Sequence, residues 1–348
     1  MVVVMRPGAS QEEIDAVRET IESNSLAVLM MPGSVMAIGI PTAIPTDLRD
    51  PLQQQLEIMP GVSRVTQVSR AFKLASREFH PESTTFEVAG ARFGGNELAL
   101  MAGPCSIEGY DQLKETAQVV KRLGANVLRG GAFKPRTSPY AFQGLADEGL
   151  RIMKAVGQEV GIATISEVMS PDMVGLLAEH VDILQIGARS MQNFPLLIEA
   201  GKSKHPVMLK RGPSATIDEF LLAAEYLLAH GNERVILCER GVHPLDRTYT
   251  RNTLDLSAVP VLKEVSHLPV IVDPSHGVGV AKWVAPMACA AIAAGADGLM
   301  VEVHPDPRKA KSDAAQTLSP EAFASLVEAI SKYAGVSGRS LPTAGVRA

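Results

Sequence analysis

Two rhythms of apolar and polar positions divide the chain. In the first, short apolar runs and amphipathic stretches share residues 1–68. Val2–Met5 predicts a strand. Ser10-Gln11-Glu12-Glu13 spells a capping box, in which the serine hydroxyl accepts from the Glu13 amide and Glu13 reaches back. Ile14, Val17 and Ile21 then recur at helical spacing. Leu26–Met31 and Ser34–Ile40 predict strands on either side of the turn signal Pro32-Gly33. Residues 46–58 predict a second helix and Gly61–Val68 a fourth strand. The order βαββαβ is the split βαβ, ferredoxin-like unit. Mixed charge and Pro81 over 69–83 predict a linker. Thr84–Val88 and Ala91–Phe93, around Ala89-Gly90, predict a hairpin suited to plugging the closed end of the downstream domain.

From Glu97 short apolar runs alternate with amphipathic segments. The predicted strands are Ala99–Ala102, Ala125–Arg129, Ile162–Ser166, Ile183–Ile186, Pro206–Lys210, Val235–Glu239, Pro269–Asp273 and Gly298–Glu302. Ser170-Pro171 and Ser319-Pro320 read as N-cap plus N1 proline. Thr216-Ile217-Asp218-Glu219 is a second capping box, with Gly231 placed to end that helix. The fold class is α/β. The alternation over 97–334 predicts a (β/α)8 TIM barrel preceded by the ferredoxin-like domain. A doubly wound sheet is the rival, since periodicity alone does not prove closure. The expected organisation is a domain over 1–70, linker and hairpin over 71–96, a barrel over 97–335, and a flexible Gly- and Ser-containing tail over 336–348.

Composition narrows the class. The 348 residues are 46% hydrophobic and 20% charged, which argues against disorder. The net charge of −5 gives no global basic field for nucleic acid or anionic lipid. The 3 cysteines, Cys105, Cys238 and Cys289, cannot build a disulfide framework and point to a reducing compartment. No apolar run reaches the roughly 20 residues of a spanning helix. The expectation is a soluble, cytoplasmic protein.

In a barrel the chemistry gathers at the C-terminal ends of the strands. Arg129, Lys134, Arg136, Arg189, Lys210, Arg211 and Arg240 all follow predicted strands. One such cation is ordinary, because Lys and Arg commonly flank strands in solvent. Seven at one mouth need an anionic partner, and a phosphorylated, multiply charged substrate supplies one. Cys105, His276 and Glu302 end the first, seventh and eighth predicted strands, neighbours around a closed barrel, and Asp306 and Asp313 come next. Thiolate, imidazole and carboxylate together suit one divalent ion. Cys238 and Cys289 lie in apolar stretches and read as core.

The strand-end motifs are Ala102-Gly103-Pro104-Cys105-Ser106, Leu128-Arg129-Gly130-Gly131-Ala132-Phe133-Lys134-Pro135-Arg136-Thr137-Ser138, Gln185-Ile186-Gly187-Ala188-Arg189, Leu209-Lys210-Arg211-Gly212, Cys238-Glu239-Arg240-Gly241 and Asp273-Pro274-Ser275-His276-Gly277. In this order they resemble 3-deoxy-D-arabino-heptulosonate 7-phosphate (DAHP) synthase, in its short type I form with an N-terminal ferredoxin-like domain. The resemblance runs from residue 1 to about 335. It implies condensation of phosphoenolpyruvate with erythrose 4-phosphate, the first step toward aromatic amino acids, with one divalent metal ion such as Mn²⁺. It implies the metal ligands Cys105, His276, Glu302 and Asp313; Asp313 is preferred to Asp306 because it stands in Lys311-Ser312-Asp313-Ala314. Phosphoenolpyruvate falls to Arg129, Lys134, Arg189, Lys210, Arg211 and Arg240, and erythrose 4-phosphate to Pro135, Arg136, Thr137 and Ser138. Lys134 is the expected proton donor to the new alkoxide, assisted by His304. The resemblance further implies feedback inhibition by tyrosine or phenylalanine through residues 1–70, and a homotetramer.

Two alternatives carry different chemistry. A 3-deoxy-D-manno-octulosonate 8-phosphate synthase uses the same barrel on a five-carbon aldose, but there the loop lysine is typically followed by Ala-Asn rather than Pro-Arg. A non-catalytic sensor would keep ligand binding without turnover, and the intact ligand and cation set argues against it.

Overall fold

A computed structural model describes residues 1–31, 35–67, 70–134, 140 and 142–342. Its contacts divide the chain into Met1–Glu82 and Ser83–Ala348. The front unit runs β1 (Val2–Met5), α1 (Gln11–Glu22), β2 (Leu29–Met31), β3 (Ala37–Gly39), α2 (Thr46–Glu57) and β4 (Val62–Thr66). Its antiparallel sheet has the order β2-β3-β1-β4, the ferredoxin-like topology. The Pro32-Gly33 turn lies outside the described residues. At the start of α1 the Glu13 amide donates to Ser10 Oγ at 3.2 Å, and the Ser10 amide donates to Glu13 Oε2 at 2.8 Å. Val3 and Ile38 turn one face of the sheet to Ile14, Val17, Ile21, Leu52 and Leu56 of the helices.

Gly39 pairs with Val2 and Leu29, so it belongs to the opposite face. A Cβ there would stand 2.4 Å from the ring of Phe79, which is itself buried. The segment leading to Glu82 thus packs within the front unit. The expected linker shortens to the Glu82–Ser83 boundary, because aromatic burial holds the preceding residues. Thr84 is already tied to the second unit: its amide donates to the His267 carbonyl at 2.8 Å, and its hydroxyl pairs with His267 Nδ1 at 2.6 Å.

The hairpin comes next as β5 (Phe86–Val88) and β6 (Ala91–Phe93). Ala89 and Gly90 both adopt positive φ, 46° and 85°, as a two-residue type I′ turn requires. Eight parallel strands then close into a barrel: β7 (Ala99–Gly103), β8 (Val127–Arg129), β9 (Ala163–Val168), β10 (Ile183–Ile186), β11 (Val207–Lys210), β12 (Val235–Glu239), β13 (Val270–Val272) and β14 (Gly298–Glu302). β14 pairs with β7 from Gly298 opposite Ala99 to Glu302 opposite Gly103, and this closure excludes the doubly wound sheet. Around it lie α3 (Tyr110–Arg122), α4 (Ala146–Val160), α5 (Val174–Ala178), α6 (Phe194–Ser203), α7 (Ile217–Ala229), α8 (Ala258–Val265), α9 (Pro274–Val278), α10 (Ala281–Ala293) and α11 (Pro320–Val336). The capping box at Thr216 and the Ser319 cap both form. No described helix is long and apolar enough to cross a membrane.

The barrel interior is one apolar cluster. Ala99 and Met101, Val127, Ala163 and Ile165, Ile183, Met208, Ile236 and Cys238, Ile271 and Met300 fill it, with Val88, Ala91 and Phe93 of the hairpin packed against them. The hairpin therefore belongs to the end opposite the strands' C-termini. The segment 336–342, expected as the start of a flexible tail, is anchored instead. Arg339 donates to the Ala296 carbonyl and to Asp297, and Ser340 exchanges backbone hydrogen bonds with Asn96 and Leu98. The buried Asp297 carboxylate is what draws the chain back.

Removing the Phe79 ring leaves a void over Gly39. Phe79→Ala should cost the front unit about 3–5 kcal/mol. Limited proteolysis should then cut within residues 1–82 while the barrel's melting stays unchanged. Unchanged protection would show that Phe79 does not seal that face.

Candidate active site at the barrel mouth

Side chains alternate along a strand, so the inward position after the apolar core lies two residues further along each one. Those positions are Gly103, Arg129, Glu167, Gln185, Lys210, Arg240, Asp273 and Glu302. The core thus ends in a ring of charged and polar groups at the C-terminal face. Gly103 is the exception for a steric reason. Its φ is +154°, and a Cβ would lie 2.1 Å from the Arg129 carbonyl oxygen. The close approach lets the chain turn over β8 toward Cys105.

Cys105, Glu302 and Asp313 offer ligand atoms that lie within 4.8 Å of one another. The Cys105 thiol donates to Asp313 Oδ2 at 3.1 Å and lies 3.0 Å from Ser312 Oγ. Burial, and then the Glu302 carboxylate, push that thiol up to about 12. His276 Nε2 stands 3.4 Å from Glu302 Oε1 and 4.0 Å from Asp313 Oδ2. Burial works against ionised Asp313, but His276, the Cys105 hydrogen bond and Arg251 outweigh it and hold the acid at about 2. Asp313 also has φ of +53°, a left-handed conformation that Asp tolerates better than most residues. Thr317 Oγ1 donates to its carbonyl at 2.9 Å and fixes that turn.

Asp273, at the head of the Asp273-Pro274-Ser275-His276-Gly277 motif, orders the histidine. His276 Nδ1 donates to Asp273 Oδ2 at 2.7 Å, and the His276 amide donates to Oδ1 at 2.9 Å. That contact turns His276 Nε2 toward the two carboxylates. Lys210 Nζ donates to the same Asp273 oxygen. Burial opposes the charge on Asp273, yet His276 and Lys210 keep it well below the usual carboxylate range.

The cations differ in how far the protein already uses them. Arg129 is buried; its Nη1 donates to Glu302 Oε1 at 2.8 Å and to the Pro104 carbonyl at 2.9 Å, while its Nε has no partner among the described residues. Lys134 Nζ donates to the Cys105 carbonyl at 3.0 Å and lies 3.1 Å from Sγ. Arg240 is buried with only a 3.5 Å contact to the Gly241 carbonyl among the described residues, and burial lowers its pKa. Arg211 falls one residue beyond the inward position. Its Nη1 donates to Glu239 at 2.8 Å and Asp255 at 2.9 Å, and its Nε to the Ala215 carbonyl. Arg189, on the short turn Ala188–Ser190, is exposed and makes no ion pair among the described residues. His304 Nδ1 accepts the Asp306 amide at 3.0 Å, which places the proton of the neutral ring on Nε2. That Nε2 is buried, unpartnered among the described residues and 3.8 Å from Glu108 Oε2. Pro135, Arg136, Thr137 and Ser138 lie outside the described residues.

The structure therefore gathers Cys105, His276, Glu302, Asp313, Arg129 and Lys134 through direct contacts, and Lys210 through Asp273. The sequence reading missed Asp273, Glu239, Ser312, Glu167 and Gln185. For Glu167, Gln185 and Asp273 the signal was present as the inward parity of their strands. For Glu239 it was the need of Arg211 for an anion. Ser312 stands beside Asp313 in Lys311-Ser312-Asp313-Ala314, but nothing there marked its hydroxyl as a partner of Cys105.

The whole chain has known relatives. Residues 80–335 match the DAHP synthetase I family, and residues 1–70 match the DAHP synthase ferredoxin-like domain. The chain is 45% identical over 338 residues to the phospho-2-dehydro-3-deoxyheptonate aldolase of Thermotoga maritima, covering 97% of this chain and 99% of that protein. A crystal structure of that enzyme, described as a DAHP synthase, superposes with a TM-score of 0.77 at 44% identity, covering 97% of this chain and 98% of the other. A truncated form of the Thermotoga maritima synthase superposes with a TM-score of 0.72 at 46% identity, covering 77% of this chain and 98% of the other. A 2-dehydro-3-deoxyphosphooctonate aldolase of Syntrophobacter fumaroxidans is 32% identical over 261 residues, 70% of this chain and 89% of that protein.

Asp273→Asn should expose the weight of the Lys210–Asp273–His276 pairing. It leaves Lys210 buried without an anion, at a cost of about 3–5 kcal/mol. The urea midpoint of unfolding should fall accordingly without a change in slope. A loss under about 1 kcal/mol would show that the pairing is not the main support of Lys210.

Proposed function

The chain belongs to the DAHP synthetase I family, and from that membership we infer that it condenses phosphoenolpyruvate with erythrose 4-phosphate and water, giving 3-deoxy-D-arabino-heptulosonate 7-phosphate and phosphate. The observation that carries the chemistry is the contact of Arg129 with Glu302, which sets an anion-binding guanidinium directly beside a set of metal-ligating groups. Thiol, imidazole and carboxylate donors fit a borderline-soft divalent ion, and the high thiol pKa means that such an ion must displace a proton. We assign Cys105, His276, Glu302 and Asp313 to that ion, Mn²⁺ or similar. When bound, it supplies Lewis acidity to the aldehyde oxygen.

The residues of the chain do the rest. Arg129, Lys210 and Arg240 occupy the inward ring and, with Arg189 and Lys134, hold the carboxylate and phosphate of phosphoenolpyruvate. The unpartnered Nε of Arg129 and the absence of any carboxylate on Arg240, among the described residues, leave donors for those anions. Arg211 supports the frame through Glu239 and Asp255 instead of binding substrate. Pro135, Arg136, Thr137 and Ser138 take erythrose 4-phosphate. Holding both substrates in register removes most of the orientational cost of carbon–carbon bond formation. As the enol carbon attacks the aldehyde, Lys134 Nζ gives its proton to the new alkoxide, and His304 Nε2–H orients the polar groups beside it. Water adds to the resulting cationic enol-phosphate carbon, and the hemiketal phosphate expels phosphate.

The eight-carbon alternative has less support. The Syntrophobacter relative of that name covers 70% of this chain, whereas the Thermotoga heptonate enzyme covers 97%. Lys134 also stands directly before Pro135-Arg136-Thr137-Ser138. Phosphate release should be fast with erythrose 4-phosphate and slower by at least an order of magnitude with arabinose 5-phosphate. Chelation should abolish it, Mn²⁺ should restore it, and Cys105→Ser should need far more metal. Full activity after exhaustive chelation would remove the metal assignment. Preference for the five-carbon aldose would reverse the substrate.

The front unit is assigned to regulation, with tyrosine or phenylalanine as feedback inhibitor and a homotetramer as the working assembly in the cytoplasm. Every assigned site residue lies after residue 100, and a truncated relative of barrel length folds well enough to give a structure. Deleting residues 1–82, at the boundary between the two units, should leave an active barrel insensitive to both amino acids. An effector coupling of about 1–3 kcal/mol is the usual range. Persisting inhibition would put the effector site in the barrel.

A further inference from the structure

We propose that Arg251 and Gln316 form an outer clamp that binds one oxygen of each cluster carboxylate, so that Glu302 and Asp313 each present a single oxygen to the ion. The inference rests on the assignment of the metal site above. Gln316 Nε2 donates to Glu302 Oε2 at 2.7 Å. Arg251 Nη1 donates both to Gln316 Oε1 at 3.3 Å and to Asp313 Oδ1 at 3.1 Å. One guanidinium and one amide thus join the far sides of the two acids. The near sides are the remaining oxygens: Glu302 Oε1 faces His276 and Arg129, and Asp313 Oδ2 faces Cys105 and His276.

The clamp has local support, although the Arg251 side chain itself is partly open to solvent. Gln316 is 2% exposed, so water cannot replace its contacts, and its amide orientation is dictated by a donor on one side and an acceptor on the other. The Arg251 amide donates to the Val278 carbonyl at 2.9 Å. Gly279 has φ of +73°, and a Cβ there would lie 2.5 Å from Arg251 Cβ, so the Arg251 loop packs directly on the end of α9. The next residue, Asn252, donates through Nδ2 to the His276 carbonyl at 2.7 Å. The segment Arg251-Asn252 therefore touches the carriers of His276 and Asp313, and through Gln316 it touches Glu302.

The consequence is coordination number. A carboxylate with both oxygens free can bind an ion through both, as it often does with hard cations. With the outer oxygens occupied, two carboxylates, a thiolate and an imidazole supply four donor atoms, and coordination positions stay open for substrate. Arg251 and Gln316 are positioning residues, since neither faces the ion.

Cobalt(II) reads this directly in the full-length protein. Titration should give a thiolate-to-cobalt charge-transfer band and d–d bands, with affinity measured by chelator competition. Arg251→Ala and Gln316→Leu should each weaken cobalt binding about 10–100-fold. They should also lower the d–d intensity as the released oxygens raise the coordination number. Arg251→Lys keeps one donor and should recover most of the affinity. The metal-free variants should melt within a few degrees of the parent. Unchanged d–d bands, with or without an affinity loss, overturn the clamp while the metal site stands. A parent protein that takes up no cobalt overturns the metal site and the clamp with it.

Discussion

The mouth depends on pairing buried charges across alternate strands of a closed ring. Arg129 on β8 reaches Glu302 on β14 with β7 between them. Lys210 on β11 reaches Asp273, just past β13, with β12 between them. In a closed parallel barrel the inward side chains of alternate strands share a layer, so these partners meet at one height. In an open sheet Arg129 and Glu302 would sit near opposite edges, each a buried charge alone, and an uncompensated buried charge costs several kcal/mol. Closure and charge pairing thus enforce each other. Among the described residues this pairing leaves Arg240 without a carboxylate and Arg129 with a spare donor. We propose that these donors take up the anionic substrates.

Much of this was legible in the residues because two periods carry it. The short apolar runs located all eight barrel strands, and Ile183–Ile186, Val235–Glu239 and Gly298–Glu302 match to the residue. Ser10 and Thr216 marked helix starts through capping chemistry that is local and therefore readable. The grouping of Cys105, His276 and Glu302 was legible because they end or follow strands adjacent in a closed ring. Arg211 shows the limit. Its proximity to Lys210 suggested a shared role, but a one-residue step reverses the side chain's direction, and Glu239 beyond the parity of β12 receives it. Phe79 shows another. A charged, proline-containing stretch reads as linker, and only the missing side chain at Gly39 reveals where an aromatic ring fits.

The two ends of the barrel use the same chemistry for different purposes. At the hairpin end, buried Asp297 accepts both Lys263 Nζ contacts, at 2.7 and 2.8 Å, one from Arg339 at 2.9 Å and the Val270 amide at 2.7 Å. Arg339 spends its remaining donors on the Gly95, Gly295 and Ala296 carbonyls. That network is closed and ties the C-terminal segment to the first and last strands. At the mouth, Arg129 Nε and His304 Nε2 are buried without partners among the described residues. Asn126 Nδ2, just before β8 at the other end, is unpartnered among them as well, so such donors alone do not mark the substrate end; at the mouth we propose that an anionic ligand completes the set.

Strands alone do not locate every proposed ligand. Glu302 is fixed by β14, but Cys105 and Asp313 sit on loops, where positions are less exact. Backbone pairing continues past the strands to correct this: the Ile107 amide donates to the Gly131 carbonyl at 3.0 Å and the Gly131 amide to the Cys105 carbonyl at 3.1 Å. Glu108 then accepts the Lys311 amide at 2.7 Å, joining the Cys105 loop to the Asp313 loop two residues before the acid. Ser312 closes the same gap against the Cys105 sulfur. The left-handed turn at Asp313 is helped by such support, because even for Asp this conformation is less favourable than for glycine. The loop ligands are thus set by cross-links between loops. A substitution at Glu108 or Ser312 would therefore act on the proposed metal site through the placement of Cys105 and Asp313.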